Sequence, residues 1–333
     1  MQQIIKANDA ISIISMLSGV SSLTPDMFLK FRSNWGFLQL KYLRKNEPYI
    51  LLFPSFFLLF IFLAYPLLSS IMYAFQSYKL TAPNDIGFNG IENFKAVLTD
   101  NNFPLIMKNT LIWVVVTVGA QFVLGLILAL ALSRPFPLRN IYQAVVFLPW
   151  AVSSFVIGLT FRWLFNTEYG PINDILLKLG IIHEKIYFLS DPRMALYSVI
   201  IAMAWTGIPF FAIMLLAAMQ SIPHEIYEAA EMDGAGMISR FWNVTFSYIK
   251  QTILITLLLR TIWVFSSAEL IYIMTTGGPA NSSNTLASYM FMKAFASLDY
   301  GQAAAIGLFF MVLLLLFTFV YLRLTKFEKA GNL

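Results

Sequence analysis

Residues 228–236 read EAAEMDGAG, a short polar break between two long apolar stretches. Its acids and small residues offer no nucleophile beside a base and no set of metal ligands. That excludes catalysis and leaves contact as its chemistry. Glu225 and Glu228 stand near the start of a short helix, where the helix dipole favours negative charge. Ala229 and Ala230 are small enough for another surface to approach closely. Asp233-Gly234 is a strong stop signal, with Gly236 just beyond. Pro223 suits the first turn, and Ser221 is placed to cap it. The expectation is a short helix, a tight turn and a second helix from about Met237, lying across one membrane face as a docking element or, alternatively, as an ordinary amphipathic loop helix.

A second group lies further on. Trp263, Ser266, Glu269 and Tyr272 are polar or aromatic residues in an otherwise apolar run. At about 100° per residue, Ser266, Glu269 and Tyr272 share an arc of about 120°, with Trp263 at its edge. A carboxylate with hydroxyls and flat aromatic faces is the chemistry a sugar needs, hydrogen bonds to its OH groups and stacking on its C–H faces. The same groups also serve as interhelical glue or, for Tyr272, as an interfacial anchor. Arg260 sits in the same run, Gln121 in an earlier one, and Trp205 beside a Gly207–Pro209 pair that implies a kink. Gln121 lines a pathway or bonds a neighbour; its spacing does not choose.

The elements that position these residues follow from composition. The chain has 333 residues, 59% hydrophobic and 12% charged, with a formal net charge of +5. A soluble domain carries roughly 25% charged residues, so the chain is an all-α integral membrane protein. Its small positive charge sets loop topology rather than nucleic-acid binding. There is no Cys, and the only histidines, His183 and His224, lie outside the apolar segments. No metal site and no cofactor of the chain's own are expected. No phosphate-loop sequence occurs, so any ATP is bound elsewhere.

Six apolar segments are long enough to span a bilayer, roughly 50–74, 108–132, 141–165, 193–219, 250–273 and 301–323. Lys41, Arg44, Arg134, Arg139, Arg240, Lys250 and Arg323 then fall on one side, which the positive-inside rule makes cytoplasmic. Both termini and EAAEMDGAG share that side. Residues 1–48 read as an N-terminal cytoplasmic or interfacial amphipathic segment, with a seventh span as the alternative. Residues 49–325 form the spanning domain, with the polar loop at about 221–247, and residues 326–333 a cytoplasmic tail.

IPHEIYEAAEMDGAG resembles the EAA loop of permease subunits of binding-protein-dependent ABC importers. Glu228, Ala229, Ala230 and Gly234 match, as do Pro223, Glu225, Tyr227, Asp233, Ala235 and Phe241. VTFS at 244–247 departs, with Ser247 where the family carries Pro. Residues 86–100, 109–136, 147–173 and 274–295 resemble the carbohydrate branch, the relatives of the maltose and glycerol-phosphate permeases. The likeness covers roughly 48–325.

It implies a six-helix type I importer domain in the bacterial cytoplasmic (inner) membrane that is not itself an enzyme. Its partners would be a dimer of ATPase subunits holding ATP and Mg, a second permease chain and a soluble solute-binding protein. Glu225, Glu228, Ala229, Ala230, Asp233 and Gly234 would couple to the ATPase. Trp205, Trp263, Ser266, Glu269, Tyr272, Arg260 and Gln121 are candidates for the solute pathway. Arg260 would pair with an acid of the second permease or face a water-filled cavity, ahead of attracting an anionic sugar. The competing function is a stand-alone ion-coupled secondary transporter. It leaves the docking loop without a role, and the spans lack its paired acidic relay. An intramembrane enzyme lacks a nucleophile with a base.

Overall fold

A computed structural model describes residue 49 and residues 51–325. The expectations for residues 1–48 and for the tail after 325 lie outside the described residues. The chain divides into two units, Met1–Leu68 and Ser69–Leu333. The helix α1, Leu51–Ala74, begins in the first unit and ends in the second; it is strongly apolar and carries a π-helical turn at Phe60–Ala64.

The second unit is helical apart from one small hairpin. The two-residue strands β1 (Gln76–Ser77) and β2 (Gly87–Phe88) pair antiparallel, Gln76 opposite Phe88. Helix α2 (Glu92–Leu98) follows, and its buried Asn93 donates to the carbonyls of Ala74 and Gln76, at 2.9 and 2.7 Å. The helix α3 then runs over Phe103–Ser133.

The expected third span is two helices, α4 (Arg139–Ala151) and α5 (Ser154–Leu164), meeting at 94°. Pro149 removes one helical donor just before the bend. Val152 and Ser153 are extended, and the Ser153 hydroxyl accepts the amide of Phe155 at 3.3 Å to start α5. A short helix α6, Pro171–Lys178, comes next. Asn173 clamps the loop beyond it through both its amide nitrogen and its oxygen, each bonded to the backbone of Ile186 at 3.0 Å.

The fourth span, α7, covers Ala195–Gln220 and runs uninterrupted through Pro209. It is followed by α8, His224–Met232, and by α9, Met237–Ser266, which includes a π-helical turn at Phe241–Thr245. The helix after the EAAEMDGAG turn is therefore the start of the fifth span, not a separate surface helix. Ser247 lies within it.

That span stops at Ser266, short of the expected residue 273. Ser267 is extended, and a seven-residue helix, α10, begins at Glu269 and ends at Thr275. At this end the carbonyl of Val264 accepts both the amide of Ser267 at 3.2 Å and the indole N–H of Trp113 at 2.8 Å. The expected arc of Ser266, Glu269 and Tyr272 assumed one continuous helix. With the break between them, Ser266 and the other two lie on different helices. Helices α11 (Leu286–Phe295) and α12 (Tyr300–Thr325) complete the chain. Among the described residues, five helices are long and apolar enough to cross a membrane, six with the bent pair.

The main core joins α3, α5, α7, α9 and α10 around Trp113, Phe211, Leu215, Ile249 and Val264. Gly125 lets α3 and α7 approach closely, for a Cβ there would stand 2.5 Å from Phe211 Cβ and 3.0 Å from the carbonyl of Ile208. Small residues at helix contacts serve this purpose in membranes. A second core around Ile106, Leu286, Tyr289 and Ile306 joins α2, α3, α11 and α12.

Candidate functional site

The two groups of sequence candidates take different forms. The first is a helical hairpin made of α8 and the start of α9. Ile226, Tyr227 and Ala230 turn inward against the main core, while Glu225, Glu228, Ala229 and Met232 face out. The spacing of these four, at i, i+3, i+4 and i+7, makes one helical stripe. Met232 is 88% exposed, a degree unusual for a large apolar side chain within a folded helix, and Met237 and Ile238 are exposed just beyond the turn. The outer face is therefore acidic, with small and apolar neighbours.

The turn is built by its own backbone. Asp233 closes the helix, and Gly234 adopts a left-handed conformation at φ +76°. Its amide donates to Glu231, and the amide of Ala235 donates to Ala230, at 3.0 and 2.9 Å. These two bonds are the Schellman arrangement that ends a helix at a glycine. No atom lies within 4 Å of where a Gly234 Cβ would stand, so backbone conformation rather than space selects glycine here.

Pro223, expected inside the first turn, is the residue before it. Ser221 does not cap the helix, since its hydroxyl donates back to the carbonyl of Ala218 at 2.8 Å.

Two side-chain contacts that the sequence reading missed fasten the hairpin. Arg240 meets Glu231 at 3.3 Å, and the Tyr227 hydroxyl bonds the Thr245 hydroxyl at 3.0 Å within the π-helical turn. Both bonds run from α8 to the fifth span. Covalent continuity and these two cross-links tie α8 to the fifth span. The signal was an acid and a base on either side of a glycine turn.

The second group is only partly assembled. Gln121 and Arg260 do meet, from spans two and five. Arg260 Nε donates to Gln121 Oε1 at 2.7 Å, and Gln121 Nε2 donates to the carbonyl of Met203 in α7 at 2.6 Å. Gly207 leaves the room, as a Cβ on it would stand 2.2 Å from Gln121 and 2.3 Å from Arg260. The guanidinium lies 5.9 Å from the ring centroid of Phe210, which touches Trp263 edge-on at 5.2 Å and Trp150 at 6.3 Å. Sequence reading missed Phe210 and Trp150, because aromatic residues are common throughout the spans.

Trp205 stands apart against Phe161, and Tyr272 packs edge-on to Phe291. The Ser266 hydroxyl bonds within its own helix to the carbonyl of Ile262 at 2.8 Å. Glu269 is exposed at the start of α10.

The GGPANSSN loop, residues 277–284, is built into the fold. Asn109 in α3 donates to the carbonyls of Asn281, Ser282 and Asn284 at 3.2, 2.9 and 3.1 Å. Ser283 and Asn284 are buried. Among the described residues, no cluster of His, Asp or Glu forms a metal site.

Comparison with known proteins agrees with this architecture. The chain is 35% identical over 277 residues to the sulfoquinovosyl glycerol transport system permease protein SmoG of Agrobacterium fabrum, covering 83% of this chain and 89% of that one. It is 31% identical over 291 residues to the trehalose/maltose transport system permease protein MalF of Thermococcus litoralis, covering 87% and 97%. Its fold matches a chain in the crystal structure of a bacterial ABC transporter involved in the import of the acidic polysaccharide alginate. That match has a TM-score of 0.75 at 23% identity, over 86% of this chain and 98% of that one. Residues 121–327 match the family model described as binding-protein-dependent transport system inner membrane component. With bent and broken spans in a type I importer fold and close relatives that are sugar permeases, this chain belongs to that family of ABC importer permeases.

Proposed function

We propose that the chain is the permease subunit of an ATP-driven importer that carries a sugar or oligosaccharide into the cytoplasm by alternating access. The observation that carries this reading is the α8 hairpin, whose outward stripe of Glu225, Glu228, Ala229 and Met232 is exposed among the described residues, while its inward face and two cross-links grip the fifth span. Asp233 and Gly234 set the angle at which the stripe is presented. A separate ATPase dimer holding ATP and Mg docks on this stripe and moves it. A second permease chain completes the pathway, and a soluble binding protein delivers solute at the opposite face. Alternation then requires two states that differ in their contacts with solute and with ATPase. The chain lies in the bacterial inner membrane with the hairpin and both termini on the cytoplasmic side. The sugar class rests on the relatives, whose names specify sugars or sugar-like glycerides.

The test is uptake into vesicles carrying this chain with its ATPase, second permease and binding protein. Labelled neutral and acidic oligosaccharides are offered with and without ATP. The expected result is accumulation of one class only when ATP is present. Accumulation driven by an ion gradient without ATP would replace this reading with a secondary transporter.

A further inference from the structure

Two charged side chains are buried among the described residues, Asp299 and Arg260. Asp299 is matched by Lys79 at 3.2 Å. Arg260 is 6% exposed and has no carboxylate partner among the described residues. Its one hydrogen bond there is Nε to Gln121 Oε1 at 2.7 Å, and nothing described accepts from either Nη. An unmatched charge within a spanning helix is costly, and such residues mark ion or substrate paths. Arginine is also the side chain whose planar fork fits two oxygens of one anion.

The surroundings hold that fork in one orientation. Gln121 fixes the Nε side and is itself held by the Met203 carbonyl. Gly207, bare of a side chain, makes room for Nη2, which a Cβ there would meet at 2.3 Å. Phe210 lies 5.9 Å from the guanidinium, and around Phe210 stand Trp150 and Trp263, each about half exposed. A cation with two unused donors therefore adjoins a group of flat rings, and those rings suit the C–H face of a sugar.

Building on the permease reading above, we propose that the transported solute is an anionic sugar, with a carboxylate, sulfonate or phosphate taken by the two Nη groups of Arg260 and its ring against Trp263 and Trp150. A neutral sugar hydroxyl would accept a hydrogen bond but leave the charge unmatched. Gln121 acts as a positioning residue that keeps the fork aimed.

The test uses the assembled importer in vesicles. An oligouronate, a sulfonated sugar and a sugar phosphate are each offered beside the neutral sugar of the same skeleton. The expected result is ATP-dependent uptake of at least one anion in preference to its neutral counterpart. In Arg260→Gln that uptake falls at least about thirtyfold, the loss typical of cutting one side of a buried charge pair. Arg260→Lys, which keeps the charge and loses the fork, recovers part of it and guards against a simple folding defect. Arg162→Gln serves as control, for it removes an exposed positive charge whose Nη1 donates to Ile273 at 3.3 Å. Uptake in that variant stays close to normal.

ATP-dependent uptake of neutral sugars alone, or anion uptake indifferent to Arg260→Gln, overturns the inference and leaves the importer reading standing. Uptake of the anion that needs no ATP yet still falls in Arg260→Gln supports the assignment of Arg260 and overturns the importer reading instead.

Discussion

The α8 hairpin and the buried centre at Arg260 are both polar interruptions in an apolar chain, but they are made in opposite ways. The hairpin comes from neighbours in sequence, with the turn at Gly234 closing α8 through bonds between residues no more than five positions apart. The centre comes from residues far apart, Gln121 and Arg260, separated by 139 positions. The hairpin turns its charges outward and buries Ile226, Tyr227 and Ala230. The centre buries its charge and is exposed only through the tryptophans around it. A local rule thus builds an exposed acidic surface, and a tertiary arrangement builds a buried cation beside aromatic rings.

The comparison can be broken most severely at the helix contact beneath the centre. Gly125→Leu places a side chain where even a Cβ meets Phe211 at 2.5 Å and the Ile208 backbone at 3.0 Å. Backbone cannot yield as a side-chain tip does, and overpacking of this kind costs about 1–3 kcal/mol or more. Loss of monodisperse protein on size exclusion is expected. Normal yield would show that α3 and α7 do not depend on this approach.

Substitution in the hairpin should separate function from folding. Gly234→Pro removes the amide bonded to Glu231 and forbids the φ of +76°, while its Cβ would meet no atom within 4 Å. Insertion and yield should stay normal while ATP hydrolysis continues without uptake. Gly234→Ala is milder, with about 1–2 kcal/mol of strain from the left-handed backbone. Unchanged uptake in the proline variant would show that the angle of the hairpin is immaterial.

Outside the spans, Asp100 gives a smaller, pH-dependent effect. Burial by itself raises its carboxyl, but hydrogen bonds from Tyr289 and from Asn102 outweigh this and hold it below the usual carboxylate range. A depressed value stabilises the fold at neutral pH, and the gain is lost as pH falls through that value. Tyr289→Phe should cost about 1.5–3 kcal/mol at neutral pH and shift acid unfolding to higher pH, as read by thermal melts across pH. A melt that responds equally to pH in both proteins would remove Asp100 from this role.

The smallest effect is expected at the Glu231–Arg240 pair, where Glu231 is mostly exposed. Glu231→Gln should change stability by less than about 1 kcal/mol, with salt suppressing the difference. A larger change would mean that the ion pair, rather than the Tyr227–Thr245 bond, holds the hairpin to the fifth span.

The same contrast explains what was legible in the sequence. Five spans were readable from the length of their apolar runs, and the turn at Asp233-Gly234 from glycine's access to positive φ. The bend after Pro149 had a local sign, but its size depends on how α5 packs on α10. The arc of Ser266, Glu269 and Tyr272 was misjudged because hydropathy continues across Ser267 while the helix does not. Gln121 and Arg260 were each recognisable as polar residues in oil. Their pairing was not, since nothing local links positions in different spans.

One experiment bears most directly on the hairpin as the link between ATP and transport. Uptake and ATP hydrolysis would be measured together in vesicles carrying the whole importer, for the native chain and for Glu228→Arg, whose side chain points outward from α8. The account predicts that the native chain couples the two. In Glu228→Arg, uptake should collapse relative to hydrolysis, with the chain still inserted. An unchanged ratio of uptake to hydrolysis in Glu228→Arg would contradict it.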